Sequence, residues 1–200
     1  VLGFVDFGFK TLIKGGPILH QCHAYEYEYS DTRNNTWANR TGAAFHMNTS
    51  DWIMEACIGA VSRHGFLAES GYNMQMSDCH FWVGQLNDAP DNGNVPVFVL
   101  DGARSGIYAN TYLDEGIIKI RGEFAHTFNG IIGANGTHGS SEVIFDLIAV
   151  EANETARFLI IDDLRGDRYD VGGNIIRYST EGVGSWSRPQ HIIKFGKQRR

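Results

Sequence analysis

The chain has 200 residues with 17 Lys+Arg against 23 Asp+Glu, a net charge of −6, so one domain of ordinary size with a real core is expected. With 42% hydrophobic and 20% charged residues it is too apolar for a disordered chain, and its apolar runs, such as Val95 to Leu100, are too short to span a bilayer. The acidic balance argues against a phosphate-binding surface, so no nucleic acid partner and no membrane insertion are expected.

Strands are predicted at Leu2 to Phe7, Ile18 to Tyr29, His80 to Val83, Val95 to Leu100, Gly106 to Tyr112, Ile117 to Phe124, Val143 to Val150, Arg157 to Asp162, Asn174 to Ser179 and His191 to Phe195. These are short β-branched or aromatic runs separated by Gly, Asn and Asp. Ile118 and Ile120 alternate with Lys119, Arg121 and Glu123, the period of a sheet with one wet face. Asp91-Asn92-Gly93-Asn94, Asp101-Gly102 and Glu181-Gly182 supply turn residues that tolerate positive φ. One helix is predicted within Ser50 to Arg63, with Ser50 as N-cap, an apolar side of Trp52, Ile53, Ala56, Ala60 and Val61, and Gly65 as its stop. The expected fold is mainly β: an antiparallel β-sandwich or jelly-roll-like domain of about ten strands and one short helix. Residues 1–200 are read as a single domain, expected to be the C-terminal part of a longer polypeptide because the chain opens on Val1.

Three cysteines, Cys22, Cys57 and Cys79, are an odd number at wide spacing, which rules out a disulfide framework and a CxxC metal knuckle. His20, Cys22 and His23, with Cys79-His80, would hold zinc only where distant ligands converge. No cofactor is expected beyond Ca²⁺ at an acidic turn, for which Asp163, Asp167 and Asp170 are the candidate ligands. Five Asn-x-Ser/Thr triplets begin at Asn34, Asn39, Asn48, Asn135 and Asn153, and fit either glycosylation or a set of exposed polar turns. Gly130, Gly133, Gly136 and Gly139 fall on every third residue, which fits a glycine-lined contact around a threefold axis or a connecting loop.

Two patterns carry functional chemistry. In a strand, Glu26 and Glu28 share one face and Tyr25, Tyr27 and Tyr29 the other, and two neighbouring carboxylates can split their pKa values as glycoside hydrolysis requires. The run Glu26-x-Glu28-x-x-Asp31 loosely resembles the Glu-x-Asp-x-x-Glu strand motif of laminarinase-like β-sandwich glycosidases, with the middle and last acids exchanged. That resemblance would make Glu26, Glu28 and Asp31 catalytic. Trp37, Trp82 and Trp186, with Tyr25 and Tyr27, lie in or beside polar stretches, and aromatic faces there are what sugar rings stack on.

The leading expectation is an extracellular or virion-surface recognition domain, binding a cell-surface glycan or protein receptor for host attachment. Its Gly/Asn-rich loops and few prolines are similar in general character to trimeric viral and phage fibre tips, including tail fibres, which implies a homo-oligomer, with a homotrimer favoured. The alternatives are a β-sandwich glycoside hydrolase, if the chain is an enzyme at all, and a structural coat or capsid protein.

Overall fold

The computed structural model describes residues 7–11, 15–26, 37–82, 96–113, 117–130, 132–133, 143–152, 156–162, 174–186 and 192–193. They form nineteen strand segments and one 3-10 turn, Trp37–Asn39. The strands follow one another in coils. The first coil is β1 (Phe7–Lys10), β2 (Ile18–His20) and β3 (His23–Tyr25). The second is β4 (Ala43–Asn48), β5 (Ile53–Glu55) and β6 (Ile58–Ala60), and the third is β7 (His64–Ser70), β8 (Met74–Ser77) and β9 (His80–Trp82). The fourth is β10 (Pro96–Asp101), β11 (Ser105–Ala109) and β12 (Tyr112–Leu113), and the fifth is β13 (Ile117–Arg121), β14 (Phe124–Asn129) and β15 (Ile132–Gly133). Then come β16 (Val143–Ala149) with β17 (Ala156–Asp162), and β18 (Asn174–Thr180) with β19 (Ile192–Ile193).

Each strand pairs with its counterpart one coil away, and every pairing among the described residues is parallel. Three sheets result: β1-β4-β7-β10-β13-β16-β18, β2-β5-β8-β11-β14-β17-β19 and β3-β6-β9-β12-β15. This is a three-sided parallel β-solenoid. The fold is mainly β as expected, but the antiparallel sandwich or jelly-roll is overturned by these pairings, because among the described residues consecutive strands do not pair with each other and every pairing is parallel. The count of about ten strands is corrected as well.

The helix predicted within Ser50 to Arg63 is absent, and the segment is instead β5, β6 and their corners. Its corner residues Asp51, Ala56 and Val61 have φ of 59°, 52° and 51°, a left-handed conformation that no helix interior contains. Apolar side chains that alternate along short strands, with a corner residue between strands, produce spacings that imitate a helical side. Trp52 and Met54 point into the solenoid together because they lie two residues apart on extended backbone, while Ile53 between them is exposed.

In-register stacking builds the core. Phe9, Phe45, Phe66, Phe98, Ile118, Phe145 and Ile176 occupy one rung position of the first sheet. Phe9 and Phe45 stack with centroids 5.2 Å apart, and Phe66 and Phe98 at 4.7 Å. The second sheet contributes Leu19, Met54, Met76, Tyr108, Phe128 and Ile161 in register. The third sheet contributes Ala24, Gly59, Phe81 and Leu113. Each apolar residue thus buries its surface against the same kind of residue one coil away, which stabilises by about 25 cal/mol per Å² removed from water.

The corner between the second and third sheets repeats. Gln21, Ala56, Asp78, Asn110 and Gly130 all take positive φ there. Their amides donate to Glu55 O, Ser77 O, Ala109 O, Asn129 O and Asp162 O at 2.8–3.1 Å, so the hydrogen-bond ladder continues around the bend.

Candidate binding face

Alternation in the third sheet turns Ala24, Gly59, Phe81 and Leu113 inward and leaves two outward rows. His23, Ile58, His80 and Tyr112 form one row, and Tyr25, Ala60 and Trp82 the other. Ala60 is small and fully buried, so the rings on either side lean over it, bringing Tyr25 and Trp82 to a centroid distance of 6.0 Å in an edge-on arrangement. His80 lies 4.5 Å from Trp82 and 4.6 Å, edge-on, from Tyr112. Tyr25, Trp82, His80 and Tyr112 thus form a continuous ring platform across four coils, and each ring is half-buried. Such a surface combines apolar faces with imidazole and phenol groups at their edges, the chemistry that receives a sugar ring and selects among its hydroxyls.

Sequence reasoning named Tyr25 and Trp82, and the structure brings these two together. It named His80 only as a zinc candidate and did not single out Tyr112; their places beside the other rings follow only once the coil register aligns them with His23. Tyr27 lies outside the described residues. Trp37 is 8% exposed, in the 3-10 turn, with the Arg63 guanidinium 5.1 Å from its ring. Trp186 packs edge-on to Phe124 and Tyr178, and its indole N–H donates to Ser179 O at 3.0 Å. Neither belongs to the platform.

Glu26 follows the platform directly but faces the interior, 4% exposed. Its Oε1 accepts from the Thr41 amide at 2.8 Å and the Thr41 hydroxyl at 3.3 Å, and its Oε2 from the Gly42 and Arg63 amides at 3.4 and 3.3 Å. Burial pushes its carboxyl above the usual range, and the donors pull against that. The arrangement ties the end of the first coil to the second and third, a structural staple for the polar backbone beneath the platform. Glu28 and Asp31 lie outside the described residues, as do the candidate calcium ligands Asp163, Asp167 and Asp170. Among the described residues no group of three or more His, Cys, Asp or Glu side chains converges on a metal position. No described helix is long and apolar enough to cross a membrane.

Two other surfaces are distinct from the platform. The outer row of the second sheet is uncharged from Ile18 through Ile53, Gln75 and Ile107 to Thr127, with Ile18, Ile53 and Ile107 71%, 40% and 56% exposed. The neighbouring outer row of the same sheet pairs His20 with Glu55 at 3.3 Å, and the first sheet carries arginine ion pairs: Arg121 bonds Asp101 and Glu181, and Arg177 bonds Asp146 at 2.6 Å. Comparison with protein-family models, curated proteins and solved structures finds no match to this chain.

Proposed function

We propose that the chain is a recognition module for a cell-surface glycan, acting outside cells or on a virion surface, with the third-sheet platform as its binding face. The observation that supports this reading is the Tyr25–Trp82–His80–Tyr112 ring cluster, in which aromatic planes recur along the solenoid axis like the residues of an extended oligosaccharide. The hydrolase alternative has less support, because Glu26 is buried and its oxygens are already engaged by protein donors. A homo-oligomer, with a trimer favoured, belongs to the same reading: the uncharged isoleucine row of the second sheet is the surface a second copy would cover.

A glycan array followed by calorimetric titration of the best ligand tests the reading. Trp82→Ala is expected to weaken binding by about 1–2 kcal/mol, roughly tenfold in Kd, with the melting temperature little changed. Binding that is equally strong in Trp82→Ala and is lost in Trp186→Ala would move the site to the other end of the molecule.

A further inference from the structure

The corner between the second and third sheets carries three thiols in one column. Cys22, Cys57 and Cys79 each follow a left-handed residue, and the flanking registers His20–Glu55–Ser77 and His23–Ile58–His80 set them on successive rungs. The Ile58 amide donates to Cys22 O and the His80 amide to Cys57 O, both at 2.9 Å, which fixes the alignment. Each thiol donates to the carbonyl two residues back: Cys22 to His20 O at 3.6 Å, Cys57 to Glu55 O at 3.3 Å and Cys79 to Ser77 O at 3.3 Å. The shared rotamer stacks the sulfurs along the solenoid axis, and the Thr111 hydroxyl, bonded to Ala109 O, continues the column. Rungs of a parallel sheet are about 4.8 Å apart, inside the Cα separation that a disulfide spans. Access is graded along the column, since Cys22 is half-buried while Cys57 and Cys79 are buried, and all three are free thiols. Its neighbour Cys79 holds the Cys57 thiol below its usual range against the opposing effect of burial, whereas the same neighbouring pair and burial push the Cys79 thiol well up, and burial pushes the Cys22 thiol up.

We propose that this column is a thiol–disulfide exchange site for low-molecular-weight disulfides, in which Cys22 is the surface contact and Cys57 the resolving thiol. The Cys22 sulfur, giving its proton to solvent, attacks one sulfur of a small disulfide; that S–S bond breaks, and one small thiol leaves and takes up a proton. The Cys57 thiolate then attacks the Cys22 sulfur, and the second small thiol departs. Two protein thiols become one Cys22–Cys57 disulfide, and one small disulfide is reduced to two thiols. Attack by Cys79 on the Cys57 sulfur, releasing the Cys22 thiol, then moves the bond one coil inward with no net oxidation. The odd number of cysteines thereby acquires a physical meaning: one thiol is always free to carry the bond along the column.

The test is a time course with the full chain and oxidised glutathione, stopped with acid, alkylated with N-ethylmaleimide and read by peptide mass spectrometry without reduction. A glutathione adduct at Cys22 should come first and give way to a linked Cys22–Cys57 peptide. Cys57→Ser should hold the adduct at Cys22, and Cys79→Ser should still form the Cys22–Cys57 link. Should the serine variants misfold, the order of species in the parent protein still decides. An adduct that stays at Cys22 with no internal link, thiols that react only in denaturant, or a Cys57–Cys79 link formed with no earlier Cys22 adduct would each overturn the proposal.

Discussion

At the scale of single residues, the polar groups inside the solenoid have the largest energetic consequences. Glu26→Gln keeps the volume but turns an NH2 group toward backbone amides that now donate to a carboxylate oxygen. A loss of about 1–3 kcal/mol in unfolding free energy is expected, read by urea denaturation, with no gain in exposed reactive chemistry. His126 is fully buried, and its Nε2 donates to Ala103 O at 3.0 Å while its Nδ1 has no partner among the described residues. Burial pushes its imidazole down to about 3. In the unfolded chain it titrates near its model value of 6.5, so between those values the unfolded state binds the extra proton. Stability should therefore fall as pH drops from about 6.5 toward 3 and stay flat above that window as far as His126 is concerned. His64 and His46, also pushed down by burial, act in the same direction. Denaturant midpoints at pH 7 and pH 5 check this, and His126→Phe should shrink the difference between them; an undiminished difference would point to other groups.

At the scale of elements, several strand positions were legible, but those of β4 to β8 were not, and neither were the strand partners. Val143 to Val150 corresponds to β16, and Gly106 to Tyr112 covers both β11 and β12, because β-branched and aromatic runs mark extended backbone whatever it pairs with. The partner lies a whole coil away, so no local turn announces it. Asp101-Gly102 reads as a hairpin turn, yet Gly102, at φ 72°, is a corner whose amide bonds Arg121 O in the next coil. Coil length also hides the repeat: β4 and β7 begin at 43 and 64, and β10 and β13 at 96 and 117, each pair 21 residues apart, whereas β7 and β10 begin 32 apart. For the candidate site, Tyr25 and Trp82 stood out as aromatics in polar context, while His80 and Tyr112 needed the register. One close approach is sensitive enough to test the packing. A Cβ on Gly59 would lie 2.6 Å from Gly65 O and 2.9 Å from the Ala44 Cβ. Backbone must shift to admit it, so Gly59→Ala should cost about 1–3 kcal/mol, measured as a lowered denaturation midpoint. A midpoint unchanged from the parent would contradict the tight wall drawn between the first and third sheets.

At the scale of the whole molecule, the three faces differ: arginine ion pairs on the first sheet, an uncharged isoleucine row beside the His20–Glu55 pair on the second, and the ring platform on the third. If the isoleucine row is a contact between copies, light scattering at micromolar concentration should give a multiple of the chain mass, and Ile107→Lys should return it to a single chain. A parent protein of single-chain mass would leave that row without a second copy. The platform is the central claim, and the most direct measurement is a two-dimensional NMR titration of the isotope-labelled protein with the strongest glycan from the array. The Trp82 indole N–H and the ring resonances of Tyr25 and Tyr112 are expected to move together along one saturable curve while those of Trp37 and Trp186 stay in place. Movement at Trp186 or Trp37 with Trp82 unperturbed would contradict the account.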